Sequence, residues 1–204
     1  VSAHSDILPV IVKVIEPRRS GRASALPPDE RRSAIIRATL PLLLENAEMV
    51  TTRQIAEAAG IAEGTIFRVF ADKDEVIVAV IDEAVDPAPM ERTLGAIDAT
   101  GSFEEVLADA IELLQRRTIE IWRLMSSVGP RFHDRVRRPM TDSPALVAIF
   151  EAHREAIAIE PIVAGRFLRA LTLSTSHPMM TEAPIPAAEV AALFLHGVSR
   201  RSSC

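Results

Sequence analysis

The chain has 204 residues, 48% of them hydrophobic, enough for one mid-sized domain or for a small domain joined to a larger one, with a real core. No run approaches the roughly 18 uninterrupted apolar residues of a membrane-spanning helix, which predicts a soluble protein with no membrane partner. A net charge of -5 excludes a protein that coats nucleic acid indiscriminately, while leaving room for a small basic patch.

Aromatic residues make up 4%, Tyr is absent, and Ala, Leu, Ile, Glu and Arg abound, so the expected fold class is all-α. The single cysteine, Cys204, leaves no intrachain disulfide or multi-cysteine metal site and suits a reducing cytoplasm.

Residues 7–15 (ILPVIVKVI) are apolar, but Pro9 and Lys13 interrupt them. Arg18, Arg19 and Arg22 follow the run instead of preceding it, so a secretory signal is not expected. Residues 16–28 combine Pro, Gly, Ser and Arg with few bulky apolar side chains, and complete a flexible N-terminal arm over residues 1–28. Its three arginines suit a solvated linker and a minor-groove arm equally.

From Asp29 onward, Ile35, Ala38, Leu42 and Leu43 recur at helical spacing. Arg31 and Arg32 fall on its solvent side. Pro41 lies inside this pattern and predicts a kink near Arg37 or a fresh start at Pro41. Residues 51–60 open on a Thr-x-x-Gln capping box and close on glycine, which describes a two-turn helix. A second short helix is expected over 63–70. A longer one, capped by Asp72 with Glu75 three residues on, runs through Val85 until Pro87 and Pro89 end it. These elements define a first domain at 29–87.

The remainder, 88–204, reads as a second, larger helical domain. Beyond a polar stretch ending near Gly101, the series Phe103, Val106, Leu107, Ala110, Ile111, Leu114, Ile121, Trp122, Met125 keeps a helical period to about Ser126. Helical patterns follow at about 130–138, 144–158, 161–176 and 186–200, separated by prolines. There is no internal repeat.

The informative unit is the pair of short helices joined by a glycine turn. Ile55, Ala56, Ala59, Ile61, Ile66 and Val69 suffice to lock the two together. Packing leaves Thr52, Arg53, Glu63, Gly64, Thr65, Phe67 and Arg68 on the other side. A helical hairpin used only for packing does not need this order of cap, turn and polar face.

The run Thr51-Thr52-Arg53-Gln54-Ile55-Ala56, then Ala59 through Phe70 (AGIAEGTIFRVF), then Lys73-Asp74, resembles the TetR family of bacterial transcriptional regulators. The likeness covers about residues 30–86. It implies a helix-turn-helix whose second helix enters the major groove, with Glu63, Gly64, Thr65, Phe67 and Arg68 at the DNA. Arg53 would then reach a base edge, with guanine as the favoured partner. Gly64 would let the backbone approach, and Thr52 and Thr65 offer hydroxyls to phosphates or bases. Lys73 would meet a phosphate. Where Phe67 stands the family commonly has Tyr, so this chain offers an apolar contact, for instance with a thymine methyl.

Other chemistry is poorly supported. His4, His133, His153, His177 and His196 lack ligand-pair spacing, so no metal or other cofactor is expected. Ser126 and Ser127 near His133 have no nucleophile motif around them, and the chain does not read as an enzyme. Trp122, Met125, Phe132, Phe150, Phe167 and Leu171, with Arg123, His133 and His153 as candidate polar anchors, are the candidate lining of an apolar effector pocket.

One helix-turn-helix reads too few base pairs, so a palindromic double-stranded DNA operator bound by a homodimer is expected. The pairing elements are 161–176 (Ile162, Val163, Phe167, Leu168, Leu171) and 186–200 (Val190, Leu193, Phe194, Val198), with Ala164, Gly165 and Ala191 allowing close approach. The expected function is a ligand-responsive transcriptional regulator, a repressor, acting through an unidentified small-molecule effector. The alternative is a helical ligand-binding or protein-interaction module without DNA binding.

Overall fold

A computed structural model describes residues 27–136 and 141–196, and all regular elements among them are helical. In chain order these are α1 (Pro28–Asn46), α2 (Thr52–Ala59), α3 (Glu63–Ile66), α4 (Lys73–Val85), α5 (Pro87–Leu94), α6 (Phe103–Val128), α7 (Pro144–Ala152), α8 (Pro161–Ser176) and α9 (Ala187–His196). Short 3-10 turns occupy Ala47–Met49, Pro130–Val136 and Arg154–Ala156. The arginines of the expected arm, and Val198, lie outside the described residues.

The chain forms two compact units. Among the described residues, the first joins those up to Asp86 with 123–136, and the second joins Pro87–Trp122 with 141–196. A boundary at 87 alone would assign 123–136 to the second unit. The 26 residues of α6, about 39 Å at 1.5 Å per residue, contribute to both.

In the first unit α1 packs on α2 and α4, and α2 on α3. Ile35, Ile36, Thr39, Leu40 and Leu43 of α1 are buried, together with Ile55, Ala56, Ile66, Phe70, Val76, Ile77, Val80 and Ile81. Pro41 neither restarts α1 nor ends it, because the helix runs unbroken from Pro28 to Asn46. The proline forgoes only its own bond to the Arg37 carbonyl, and Arg37 is exposed, so water can serve that oxygen. Thr39, buried on the same helix, donates its hydroxyl to the Ile35 carbonyl at 2.7 Å.

Helix α2 starts as its sequence requires. Thr51 accepts from the Gln54 amide at 3.2 Å, and the Gln54 side chain accepts from the Thr51 amide at 2.9 Å. It ends at Gly60, whose backbone is left-handed at φ 66°, with its N–H on the Ala56 and Glu57 carbonyls. A Cβ there would meet nothing within 4 Å, so the demand for glycine is purely one of backbone conformation. Gly60→Ala is therefore expected to cost about 1 kcal/mol of unfolding free energy, measurable as a lower urea midpoint with an unchanged slope.

Helix α4 starts at Lys73 behind Asp72, which accepts from the Glu75 amide at 2.8 Å. It ends at Val85, just before Pro87, as the sequence predicts. Pro87 then opens a separate helix, α5, since proline suits a first turn, where its missing N–H has no partner to lose.

The second unit is built on Met90, Leu94, Val106, Leu107, Ala110, Ile111, Leu146, Ile149, Phe150, Ala164, Leu168, Val190 and Ala191. Helix α8 packs against α7 and α9. Ala164, Gly165 and Ala191 are buried here, and a Cβ on Gly165 would stand 3.5 Å from that of Leu146. These small residues thus let α8 and α9 pack within their own unit, instead of serving approach to a second chain as the sequence suggested. Arg166 grips Asp142 with two bonds of 2.6 and 2.8 Å, and the guanidinium holds that carboxyl below the usual carboxylate range. Among the described residues no helix is long and apolar enough to cross a membrane.

Candidate nucleic-acid interface

Of the six expected packing residues Ile55, Ala56 and Ile66 are buried and Ala59, Ile61 and Val69 half-buried, and the two short helices pack on each other. What remains outside is informative. Arg53, Glu63, Gly64, Phe67 and Arg68 are exposed, and Thr52 and Thr65 are half-exposed. Phe67 keeps 53% of its surface in solvent although it is a large apolar side chain with other burial available one residue away, where Ile66 is 0% exposed.

Three of these side chains have specific partners. The Thr52 hydroxyl, at the start of α2, donates to Oε1 of Glu63 at the start of α3. Arg53 donates its Nε to Glu57 at 3.0 Å, four residues along the helix, in a solvent-exposed pair. That bond uses Nε alone, so both terminal guanidinium nitrogens, the pair a bidentate contact to guanine would use, are not engaged by it. Lys73 is half-buried and donates its Nζ to the Val50 carbonyl at 3.0 Å, tying the start of α4 to the residue before the Thr51 cap. An ammonium has three protons, so two stay available for a phosphate.

Gly64 differs from Gly60. Its backbone is not left-handed, it is exposed, and a Cβ would meet nothing within 4 Å. Nothing within the described chain requires glycine there, although glycine in a helix costs about 1 kcal/mol relative to alanine.

Sequence reasoning missed two supports of this face. Glu57 was readable from its i, i+4 spacing to Arg53. Arg131 was not: it sits 57 residues from Asp74 in sequence, yet makes two bonds of 2.9 Å to that carboxylate, beside Lys73. The 3-10 turn that carries Arg131 packs on α4. Its guanidinium also lies 4.6 Å from the centre of the Phe132 ring.

The residues expected to line an effector pocket divide between the two units. Met125 and Phe132 are buried in the first, where exposed His133 sets its Nε2 3.2 Å from the Met125 carbonyl. The second unit holds Trp122, Phe150, His153, Phe167 and Leu171. There Phe103 stacks on His153 at 4.6 Å between ring centres and meets Phe150 edge-on at 5.8 Å. Phe194 links Phe150 at 5.7 Å to Phe167 at 6.3 Å. Leu171 packs against the same core. The His153 Nε2 is buried without a hydrogen-bond partner among the described residues. Trp122 stands apart from this row, its ring edge-on to His177 at 4.7 Å. Among the described residues no group of three or more His, Cys, Asp or Glu side chains could hold a metal ion.

Residues 35–80 match the profile of the bacterial regulatory proteins of the tetR family. This segment of the chain is similar to the tetR family. The matched segment takes in most of α1, both short helices and the first part of α4, so the capping box, the Gly60 turn and the exposed face all fall in the tetR segment.

The remaining helices share the fold of solved relatives. The transcriptional regulator FadR from Bacillus subtilis, in complex with stearoyl-CoA, aligns at 16% identity and TM-score 0.55, covering 82% of this chain and 99% of its own. A TetR/AcrR-family regulator from Thermobifida fusca aligns at 20% identity and TM-score 0.56, covering 84% and 100%. At these identities the likeness establishes a shared all-helical fold, with an N-terminal helix-turn-helix domain and a C-terminal helical domain.

Proposed function

We propose that the chain is a ligand-responsive transcriptional repressor that binds a palindromic DNA operator as a homodimer. The observation that carries this reading is Gly64. A helix position that is exposed, sterically open and free of backbone demand has no internal use for glycine. A surface that must come against its backbone does, and the flanking exposed Arg53, Thr65, Phe67 and Arg68 are suited to a DNA groove. The tetR match over the same residues supports the same conclusion.

In this reading the first unit holds the DNA and two copies set their heads about 34 Å apart, one turn of the duplex. The second unit takes a small-molecule effector, as the Bacillus subtilis relative takes stearoyl-CoA. The aromatic row of Phe103, Phe150, His153, Phe194 and Phe167 is its candidate apolar wall. Any such effector must prefer one dimer conformation, since equal affinity for both would shift nothing. The chain is then a cytoplasmic regulator with no catalytic step of its own.

Selection of bound sites from random DNA tests the reading, followed by titration of the selected site with and without candidate effectors. Gly64→Ala is expected to leave thermal stability unchanged or raised and still to weaken binding to the selected site sharply. Arg53→Ala and Arg68→Ala should each cost about 1–3 kcal/mol on that site. Lys73→Ala should weaken all DNA alike and lower the salt slope by about 1, with some loss of stability because the Val50 tie goes with it. A selection that enriches nothing, or a Gly64→Ala protein that binds as well as the parent, would remove the basis for a DNA-binding role.

A further inference from the structure

We infer that Glu63 reads a cytosine, and that Thr52 is the positioning residue that aims it. The inference rests on the DNA-binding reading above. Glu63 is an exposed acid on the face that carries Arg53, Arg68 and Lys73, and unlike Glu57, which pairs with Arg53, it has no cationic partner among the described residues. Next to a polyanion a carboxylate repels phosphates, so its presence calls for a specific donor. It is also held: Thr52, eleven residues away and on the other helix, spends its hydroxyl proton on Oε1. Among the described residues Oε2 has no partner.

The chemistry narrows the donor. A carboxylate only accepts, and the major groove offers two donors, the amino groups of cytosine and adenine. In adenine the amino group lies beside the N7 acceptor, whose lone pair faces the second carboxylate oxygen. In cytosine the neighbour is a C–H edge, which opposes nothing. Cytosine N4 is thus the matching partner. Gly64 follows directly, so no side chain at the next position holds this carboxylate away from a base edge.

The same hydrogen bond changes the role of Thr52. Its hydroxyl has one proton, phosphate oxygens only accept, and the proton is already committed to Glu63. Thr52 therefore acts through Glu63 instead of holding a phosphate as a donor.

Site selection with the parent protein and with Glu63→Gln, Thr52→Val and Thr52→Ser tests this. The parent should select cytosine at one position of each half-site, and exchanging that cytosine for thymine should weaken binding about 5- to 150-fold. Glu63→Gln should turn the preference at that position toward adenine, which glutamine can grip at N6 and N7, and leave every other position unchanged. Thr52→Val should flatten the preference at the same position, and Thr52→Ser should restore it, which a merely structural role of Thr52 would not produce. The inference is overturned if Glu63→Gln selects the parent's base at every position, or if it only raises affinity for all sequences equally. A parent that selects a site without cytosine in it overturns the Glu63 assignment alone, whereas a parent that selects no site overturns the DNA-binding reading as well.

Discussion

Val163→Glu combined with Phe167→Glu is expected to turn a dimer into a folded monomer and to lower operator affinity by several orders of magnitude. On α8 one side is fully used inside the unit, where Ala164 and Leu168 are 0% exposed and Thr172 is 1% exposed. The other side leaves Ile162 at 39%, Val163 at 46% and Phe167 at 63% exposed, an apolar strip on one helix. If the proposed pairing covers this strip, two carboxylates per chain buried against their mates would cost several kcal/mol, far more than an interface of moderate affinity can spare. In the single chain the same carboxylates sit in water and cost little. Sedimentation equilibrium reads the oligomer, circular dichroism the fold, and a titration on the selected operator the affinity. A double variant that stays dimeric would move the interface elsewhere.

The second large effect is on stability. Ile66 is the one buried side chain of the four-residue α3, at 0% exposure, and that helix has no side-chain cap to define its start. Ile66→Ala should lower the unfolding free energy by about 2–5 kcal/mol through lost burial and the cavity left behind. Against a typical total of roughly 5–15 kcal/mol, that is enough to unsettle α3. Phe67→Ala, one residue on, removes a larger side chain but should change stability by less than about 0.5 kcal/mol, because that ring is 53% exposed. Urea titrations of the two variants make the comparison direct. Equal losses would mean that Phe67 is a core residue and does not belong to the contact face.

Local rules were the readable part of this chain. The Thr51 and Gln54 box, the Gly60 stop and the Asp72 cap each depend on residues within four positions of one another, and each appears where the sequence predicts it. Helices α6 and α8 were likewise legible, since their apolar periods are long. Proline was only partly legible. The fresh start that Pro41 could have given does not occur, because an exposed carbonyl can be served by water, whereas Pro87 ends α4 at Val85 as read and also opens α5, where a first turn has no bond to lose.

Long-range partnership was the illegible part. Nothing near Arg131 names Asp74, and nothing near Thr52 says that its proton goes to Glu63. Nor does an apolar residue announce its unit. Met125 and Trp122 lie three positions apart on α6, yet one belongs to the first unit and the other to the second. Periodicity identifies which residues of a helix are buried; it is blind to what buries them.

The return of residues 123–136 to the first unit bears on how this protein can be taken apart and recombined. A gene fragment that stops at Asp86 omits Leu124, Met125, Val128 and Phe132, all buried, and removes the Arg131 grip on α4. The first unit is therefore not a cassette bounded by one cut. A chimaera that exchanges this unit for that of a protein of the same fold has to carry two stretches of chain, the second of them beginning inside α6.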